Sequence, residues 1–275
     1  MMSHSLMYQA DGSNRTAIEP LMARAEPLLS VIIPVYNEAA TIVATLDAVS
    51  RSPLSKQIIV VDDGSTDDSM IEVDRWMCGS GAAYGFRLCR HLANRGKGAA
   101  IRTGLVHAEG QIVIVQDADL ECDPSEYPAL VAPILDGSAD VVLGSRFLAT
   151  GAPRPWNAGR CFVIFANALV RILYGRRISD EAGCYKVMRT RLLRDLDLRC
   201  KRFEFCPEVV AKVCRMDLVI REVPVRYRPR TRREGKKIGW RDAAKAIFTL
   251  LRWRFARLSA PVRSAQVTDQ DKTID

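Results

Sequence analysis

An α/β fold, with a mostly parallel sheet covered by helices on both faces, is predicted by three observations: short apolar runs without polar alternation, segments of helical period between them, and polar motifs at the ends of the runs. Residues 28–35 form the first β-branched run, and Ile42, Val43, Leu46 and Val49 then recur at helical spacing, as in a strand feeding a helix. Residues 57–61 read as the second strand, and 86–90 and 111–116 as two more, separated by helical stretches at 68–77 and 97–109. A helix over 125–135 leads to a strand at 140–143. In such sheets a ligand crevice lies beyond the carboxyl ends of the strands.

The chain has 275 residues, 48% of them hydrophobic and 26% charged, an ordinary globular balance with ample material for a core. Its net charge of +8 is unevenly spread. Residues 1–145 carry 10 Lys and Arg against 19 Asp and Glu, whereas 146–260 carry 28 against 10. Such a basic half suits a negatively charged partner: nucleic acid, an anionic membrane or a phosphorylated substrate. The 8 cysteines follow no disulfide or metal spacing and read as reduced thiols of a cytosolic protein. Residues 1–27 lack a secretory pattern and read as a mobile leader; residues 259–275 read as a disordered tail. No segment has the 18 or so apolar residues needed to span a bilayer.

Polar motifs fall where three of the strands end. Pro34-Val35-Tyr36-Asn37-Glu38 closes the first, Asp62-Asp63-Gly64-Ser65-Thr66-Asp67 the second, and Asp117-Ala118-Asp119-Leu120-Glu121 a later one. Such residues also favour turns and helix N-caps, but three clusters at strand ends point to one rim. Asp117 and Asp119 lie two apart, so both can leave an extended segment on one side, and Glu121 continues the spacing. Hard oxygen donors of this kind suit Mg²⁺ or Mn²⁺ with a diphosphate completing the shell. Asp63 and Glu38 are then left to read a nucleoside. The run Asn94-Arg95-Gly96-Lys97-Gly98 opens a helix and could hold phosphate on its N–H groups, although a plain strand-to-helix turn reads equally well.

In order and spacing these residues resemble the inverting family 2 glycosyltransferases of GT-A fold, most closely the dolichyl-phosphate mannosyltransferase group. The match runs from about residue 28 to 257. It covers Val31-Ile32-Ile33-Pro34-Val35-Tyr36-Asn37-Glu38, Val60-Val61-Asp62-Asp63-Gly64-Ser65, Asp117-Ala118-Asp119 and Gly144-Ser145-Arg146-Phe147, then Ser179-Asp180, Gly183-Cys184-Tyr185-Lys186 and Glu222-Val223-Pro224-Val225. The resemblance implies donor contacts at Pro34, Tyr36, Glu38, Val61 and Asp63, with Asp117, Ala118, Asp119 and Glu121 around metal and diphosphate. It places Arg146 at the phosphates and marks Asp119, Arg146, Asp180, Arg230 and Lys237 as the residues that carry the reaction. Relatives often have Gln at the position of Glu121. Their basic loop reads Arg-x-x-Gly-Glu-Ser-Lys, where this chain has Arg230-Thr231-Arg232-Arg233-Glu234-Gly235-Lys236-Lys237.

Two segments of the basic half read as amphipathic helices. Phe162, Phe165, Leu169 and Ile172 share a face within 160–175, and Ala244, Ile247, Leu251, Phe255 and Leu258 form a stripe within 240–258, each with arginines nearby. These stripes would also serve as core faces; the charge of this half and the resemblance favour a membrane interface. The expected organisation is a glycosyltransferase domain at 28–239, with a membrane-facing segment near 158–175, followed by the helix at 240–258. The expected reaction moves a hexose from a nucleotide sugar, GDP-mannose or UDP-glucose, to a polyprenyl phosphate on the cytosolic membrane face. A phosphate monoester, with its second pKa near ~6, is already ionised and needs no strong base. A hydroxyl acceptor would need one, and Asp180 is then the candidate. A nucleic-acid-binding role lacks aromatic platforms and zinc-finger spacing, and a nucleotidyltransferase lacks a glycine-rich triphosphate signature. The seven cations from Arg226 to Lys237 are expected to close over the loaded site.

Overall fold

The computed structural model describes residues 27–79, 85–149, 158–230 and 239–258. The leader, the tail, the segment 231–238 and with it Lys237 lie outside the described residues. Seven strands form one sheet: β1 (Leu29–Val35), β2 (Lys56–Asp62), β3 (Gly85–Arg90), β4 (Ile112–Val115), β5 (Val141–Ser145), β6 (Lys186–Arg189) and β7 (Ile220–Pro224). Their spatial order is β3-β2-β1-β4-β6-β5-β7. Every pairing is parallel except those of β6, which runs antiparallel to both β4 and β5.

The helices are α1 (Ile42–Arg51), α2 (Ser69–Gly79), α3 (Lys97–Val106), α4 (Tyr127–Leu135), α5 (Ala158–Tyr174), α6 (Thr190–Asp195), α7 (Phe205–Arg215) and α8 (Trp240–Phe255). The central strands β1, β2 and β4 are buried along their length, which is why their sequences run apolar on both sides. On one face α1, α2 and α4 pack Leu46, Trp76 and Leu130 over Val31 and Ile114. On the other, α3, α5, α7 and α8 pack Ile101, Val170, Val209 and Trp253 over Ile32 and Val113. The C-terminal α8 therefore shares the core of the preceding domain.

β6 departs from the parallel arrangement, with a consequence for the site. Parallel strands all end at one rim, whereas an antiparallel strand begins there. The loop 179–185 that feeds β6 is thus delivered to the same rim as the ends of β1, β2, β4, β5 and β7. Since β1 is flanked by β2 and β4, the order also reverses at β1, the position where open α/β sheets form their crevice.

Candidate active site

The rim is tied together before any ligand is considered. Asn37 turns the chain after β1 with a φ of 52°, a conformation asparagine tolerates. Its amide oxygen accepts from the N–H of Thr66 at 2.8 Å, and the N–H of Glu38 donates to Ser69 Oγ at 2.8 Å, so the loops after β1 and β2 hold one another. Asp63 is buried and accepts from His91 Nδ1 at 2.7 Å and from the N–H groups of Arg95 at 2.9 Å and Gly96 at 2.7 Å. Its carboxylate thus builds the floor of the crevice while lining it.

Gly96 carries a φ of 95°, and a Cβ there would stand 2.4 Å from the carbonyl oxygen of Lys201. Of the two readings of 94–98, that close approach favours the strand-to-helix turn. The N–H of Gly98 donates to the carbonyl of Arg202 at 2.9 Å and that of Ala99 to Lys201 at 3.0 Å, so the start of α3 is capped by backbone. The segment lines the crevice with Asn94, Gly96 and Lys97, and its charge there is that of Lys97.

The carboxylate loop is fixed by a buried glutamine. Gln116 Nε2 donates to the carbonyls of Asp117 at 3.0 Å and Cys122 at 3.4 Å, while its Oε1 accepts from the hydroxyls of Tyr127 at 2.8 Å and Tyr185 at 2.9 Å. All of its hydrogen-bonding capacity is directed at holding this turn. Within the turn Leu120 adopts a φ of 58°, a strained value for a leucine.

Each carboxylate has a cation or donor beside it. Lys97 Nζ lies 2.5 Å from Asp117, Arg230 reaches Asp119 at 3.1 Å, and Glu121 accepts from the Tyr227 hydroxyl and the Arg230 N–H, both at 2.8 Å. Arg230 also meets Glu38 at 2.8 Å. Burial pulls the Asp117 carboxyl upward, but the Lys97 charge holds it below the usual carboxylate range. Asp119 is pushed up to about 7, first by burial and then by the charges of Asp117 and Glu121. The loop therefore concentrates more negative charge than Lys97 and Arg230 neutralise, which is the electrostatic condition a divalent cation satisfies. Hard carboxylate donors on Asp117 and Asp119, with room for phosphate oxygens, fit Mg²⁺ or Mn²⁺. Among the described residues no three His, Cys, Asp or Glu are already gathered in a metal-holding group. Glu121 is instead turned to Tyr227 and Arg230.

Across the crevice Arg146, following β5, meets Asp180. Nε and Nη2 donate to the two carboxylate oxygens at 2.7 and 2.8 Å, and the Arg146 N–H adds a third bond at 2.9 Å. Asp180 is wholly buried, and the loop around it is held by Glu222, which accepts from the N–H and hydroxyl of Ser179. Burial works against the Arg146 charge, yet the bond and charge of Asp180 raise its pKa above the ordinary arginine value. The guanidinium lies 4.8 Å from the centre of the Tyr227 ring.

The carboxylate loop, Lys97, Arg146, Tyr227 and Arg230 line one cavity of about 740 Å³, within the range of small-molecule sites. Of the residues singled out from the sequence, Pro34, Tyr36, Glu38, Asp63, Asp117, Ala118, Asp119, Glu121, Arg146 and Arg230 line it. Val61 is not among the lining residues: its side chain is buried in the core cluster that also holds Ile32 and Ile101. Asp180 stands behind Arg146 rather than on the wall. Sequence reasoning missed the Gln116–Tyr127–Tyr185 knot, Tyr227 and Glu181. Gln116 stands just before the acidic motif, and a polar residue ending an apolar strand was the available signal; the others carried none.

The cavity wall also has an apolar component, with Phe147, Phe162, Val163, Phe203 and Ala246, and it includes Arg146 and Arg160. Phe162 and Val163 come from α5 and Ala246 from α8, two helices that pack against one another, while Phe147 follows β5 and Phe203 precedes α7. Both helices bury one face and show apolar residues on another: Ile164, Phe165 and Ile172 on α5, Phe248, Leu251 and Phe255 on α8. The expected stripe of α5 divides, since Leu169 packs against the core while Phe165 and Ile172 face outward. That of α8 is largely outward, the core side being Ala246, Leu250 and Trp253. No helix of the described residues is long and apolar enough to cross a membrane.

A model of the family described as glycosyl transferase family 2 matches residues 30–197. Dodecaprenyl-phosphate galacturonate synthase from Rhizobium johnstonii is 25% identical over 215 residues, covering 72% of this chain and 60% of that protein. Dolichol-phosphate mannosyltransferase from Pyrococcus furiosus is 27% identical over 235 residues, covering 82% of this chain and 64% of the relative. The chain thus spans less than two thirds of the length of either. Among solved structures, glucosyl-3-phosphoglycerate synthase from Mycobacterium tuberculosis in complex with Mn²⁺, UDP and phosphoglyceric acid superimposes with a TM-score of 0.65 at 23% identity, covering 85% of this chain and 81% of that one. That likeness bears on the fold.

Proposed function

The chain belongs to glycosyl transferase family 2 and has the GT-A fold, and from that premise we propose that it transfers a hexose from a nucleotide sugar to a polyprenyl phosphate at a membrane surface. The observation that carries this reading is the make-up of the cavity wall. The wall combines carboxylates from the loops after β1, β2 and β4 with apolar side chains of α5, α8 and the loops beside them, and it includes Arg146 and Arg160. The carboxylates suit a metal-bound nucleoside diphosphate, and the apolar side chains with their arginines suit a phosphate carrying an apolar chain. The names of the two relatives, each a synthase or transferase for a polyprenyl phosphate, support the same acceptor.

In this reading Pro34, Tyr36, Glu38 and Asp63 receive the nucleoside, while Asp117 and Asp119 would hold Mg²⁺ or Mn²⁺ with the diphosphate. Such an ion, when bound, neutralises charge on the departing diphosphate. Arg146, fixed by Asp180 and packed on Tyr227, offers its charge to the acceptor phosphate, and Arg230 bridges the carboxylates that a donor would meet. Lys237 is proposed to join it in closing over the phosphates. The phosphate oxygen is already a competent nucleophile, so the attack on C1 asks no base of the protein. Transfer to a hydroxyl would ask for one, and Asp180 gives both oxygens to Arg146.

The outward apolar residues of α5 and α8 lie among Arg171, Lys245, Arg252 and Arg254, a combination suited to an anionic lipid surface. Eight free thiols suit the reducing, cytosolic side of that membrane. GDP-mannose and UDP-glucose are the proposed donors. The test is a panel of nucleotide sugars offered with a short-chain polyprenyl phosphate and read by mass spectrometry. A hexosyl lipid phosphate is expected with one donor, and hydrolysis or glycosylated small molecules in its place would refute the reading.

A further inference from the structure

Among the described residues the acidic side chains of the cavity are engaged, with one exception. Glu38 and Asp119 meet Arg230, Asp63 meets His91, Asp117 meets Lys97, Glu121 meets Tyr227 and Asp242 caps Gly239. Glu181 lines the same cavity, is 1% exposed, and has no hydrogen-bond partner for its Oε1. Leaving a buried carboxyl oxygen unsatisfied costs on the order of 1–3 kcal/mol or more, so Glu181 Oε1 is a group for which a polar ligand in the cavity would supply the missing partner.

Its position is built rather than accidental. The Glu181 N–H donates to Asn167 Oδ1 at 3.0 Å, and buried Lys186 donates to the carbonyls of Glu181, at 2.8 Å, and Gly183. Lys186 thus spends its hydrogens on the backbone of this loop. Gly183 packs so closely on β5 that a Cβ would stand 2.5 Å from the carbonyl oxygen of Gly144. Cys206 Sγ lies 3.5 Å from the carbonyl oxygen of Gly183 in the same loop, and Cys206 lines the cavity together with Glu181, Lys97 and Asp117. Glu181 therefore shares one cavity with the Asp117–Lys97 pair, and the lining residues that follow it or touch its loop are Ala182, Cys184 and Cys206.

The part of a nucleotide sugar next to its diphosphate is the sugar, and those three side chains give its hydroxyls little to bond. Resting on the nucleotide-sugar reading above, we infer that Glu181 is a specificity-determining residue that hydrogen-bonds a hydroxyl of the donor sugar. Burial, aided by Asp180 and opposed by Lys186 and Arg146, pushes its carboxyl up to about 7, so it can accept from or donate to that hydroxyl near neutral pH.

The test compares wild type, Glu181→Gln and Glu181→Ala in the full chain. The probes are UDP-glucose, GDP-mannose, their monodeoxy analogues, and UDP and GDP alone, with polyprenyl phosphate as acceptor. Wild type should lose on the order of 10- to 100-fold in kcat/KM on one deoxy analogue. Glu181→Ala should lose a similar factor on the parent donor and become indifferent to that deoxy position. All three proteins should bind bare nucleoside diphosphate within about twofold, as expected when one interaction of this size is lost from the sugar alone. If Glu181→Ala keeps the wild-type deoxy penalty, or weakens bare diphosphate as much as the sugar nucleotide, the inference is overturned. Should Glu181→Ala fail to fold, the isosteric Glu181→Gln carries the same comparison with a smaller loss. Calorimetric titration of the same probes decides the case without turnover: a deoxy penalty that vanishes in the variants, in a protein forming no lipid product, supports Glu181 and refutes only the acceptor reading.

Discussion

Replacing Asp180 by asparagine separates two roles for this residue. The carboxylate is fully buried and accepts three hydrogen bonds from Arg146, two of them from the guanidinium. An asparagine oxygen can still accept from the backbone N–H and Nε, but its amide NH₂ then faces Nη2, donor against donor. Breaking a buried ion pair costs about 3–5 kcal/mol. The Arg146 side chain is 16% exposed, so water relieves part of this and about 3 kcal/mol is expected. For a domain of this size that lowers the melting temperature by about 6–12 °C. Thermal melts and urea titrations measure it, alongside kcat. If stability is unchanged within about 0.5 kcal/mol while kcat on a hydroxyl acceptor collapses, Asp180 is a general base and the clamp argument is refuted.

Asp119→Asn should nearly abolish turnover with Mg²⁺ or Mn²⁺ while leaving the melting temperature at neutral pH unchanged or higher, because the charged form of this crowded carboxylate is already disfavoured; full turnover in excess EDTA would contradict the metal assignment. Glu181 should show itself in pH–stability curves. A carboxyl raised from 4.5 to about 7 in the folded state contributes stability that is complete below its unfolded value and lost as pH rises through about 7. Wild type should therefore lose stability relative to Glu181→Gln between those values, on the order of 3 kcal/mol, and parallel curves would remove the basis of that shift. Vesicle flotation should be stronger with anionic than with neutral lipid, weaken with salt, and fall when Phe165, Ile172, Phe248 and Phe255 are replaced by serine; binding indifferent to lipid charge and to these changes would exclude the surface.

The parallel half of the sheet was legible because its strands are buried on both faces and write themselves as unbroken apolar runs. β6 and β7 were not read from pattern. β6 is the four-residue run Lys186-Val-Met-Arg189, and β7 is a half-exposed edge whose Arg221 and Glu222 break the run. The acidic rim was legible because Asp, Asn and Gly cluster at strand ends. Its wiring was not, since Lys97, Arg230 and Tyr227 reach their partners across 20, 111 and 106 residues of chain. Period finding located the apolar residues of α5 and α8 but not which of them face the core; on α5 that is settled by Val163, Ala166 and Val170 packing inward.

The claim that an already ionised lipid phosphate is the nucleophile is tested most directly by offering one donor with equal amounts of a short-chain polyprenyl phosphate and the corresponding polyprenol, and separating the lipids by mass. The account predicts hexosyl polyprenyl phosphate alone, with the alcohol recovered intact. Glycosylated polyprenol, in the presence of untouched polyprenyl phosphate, would contradict it.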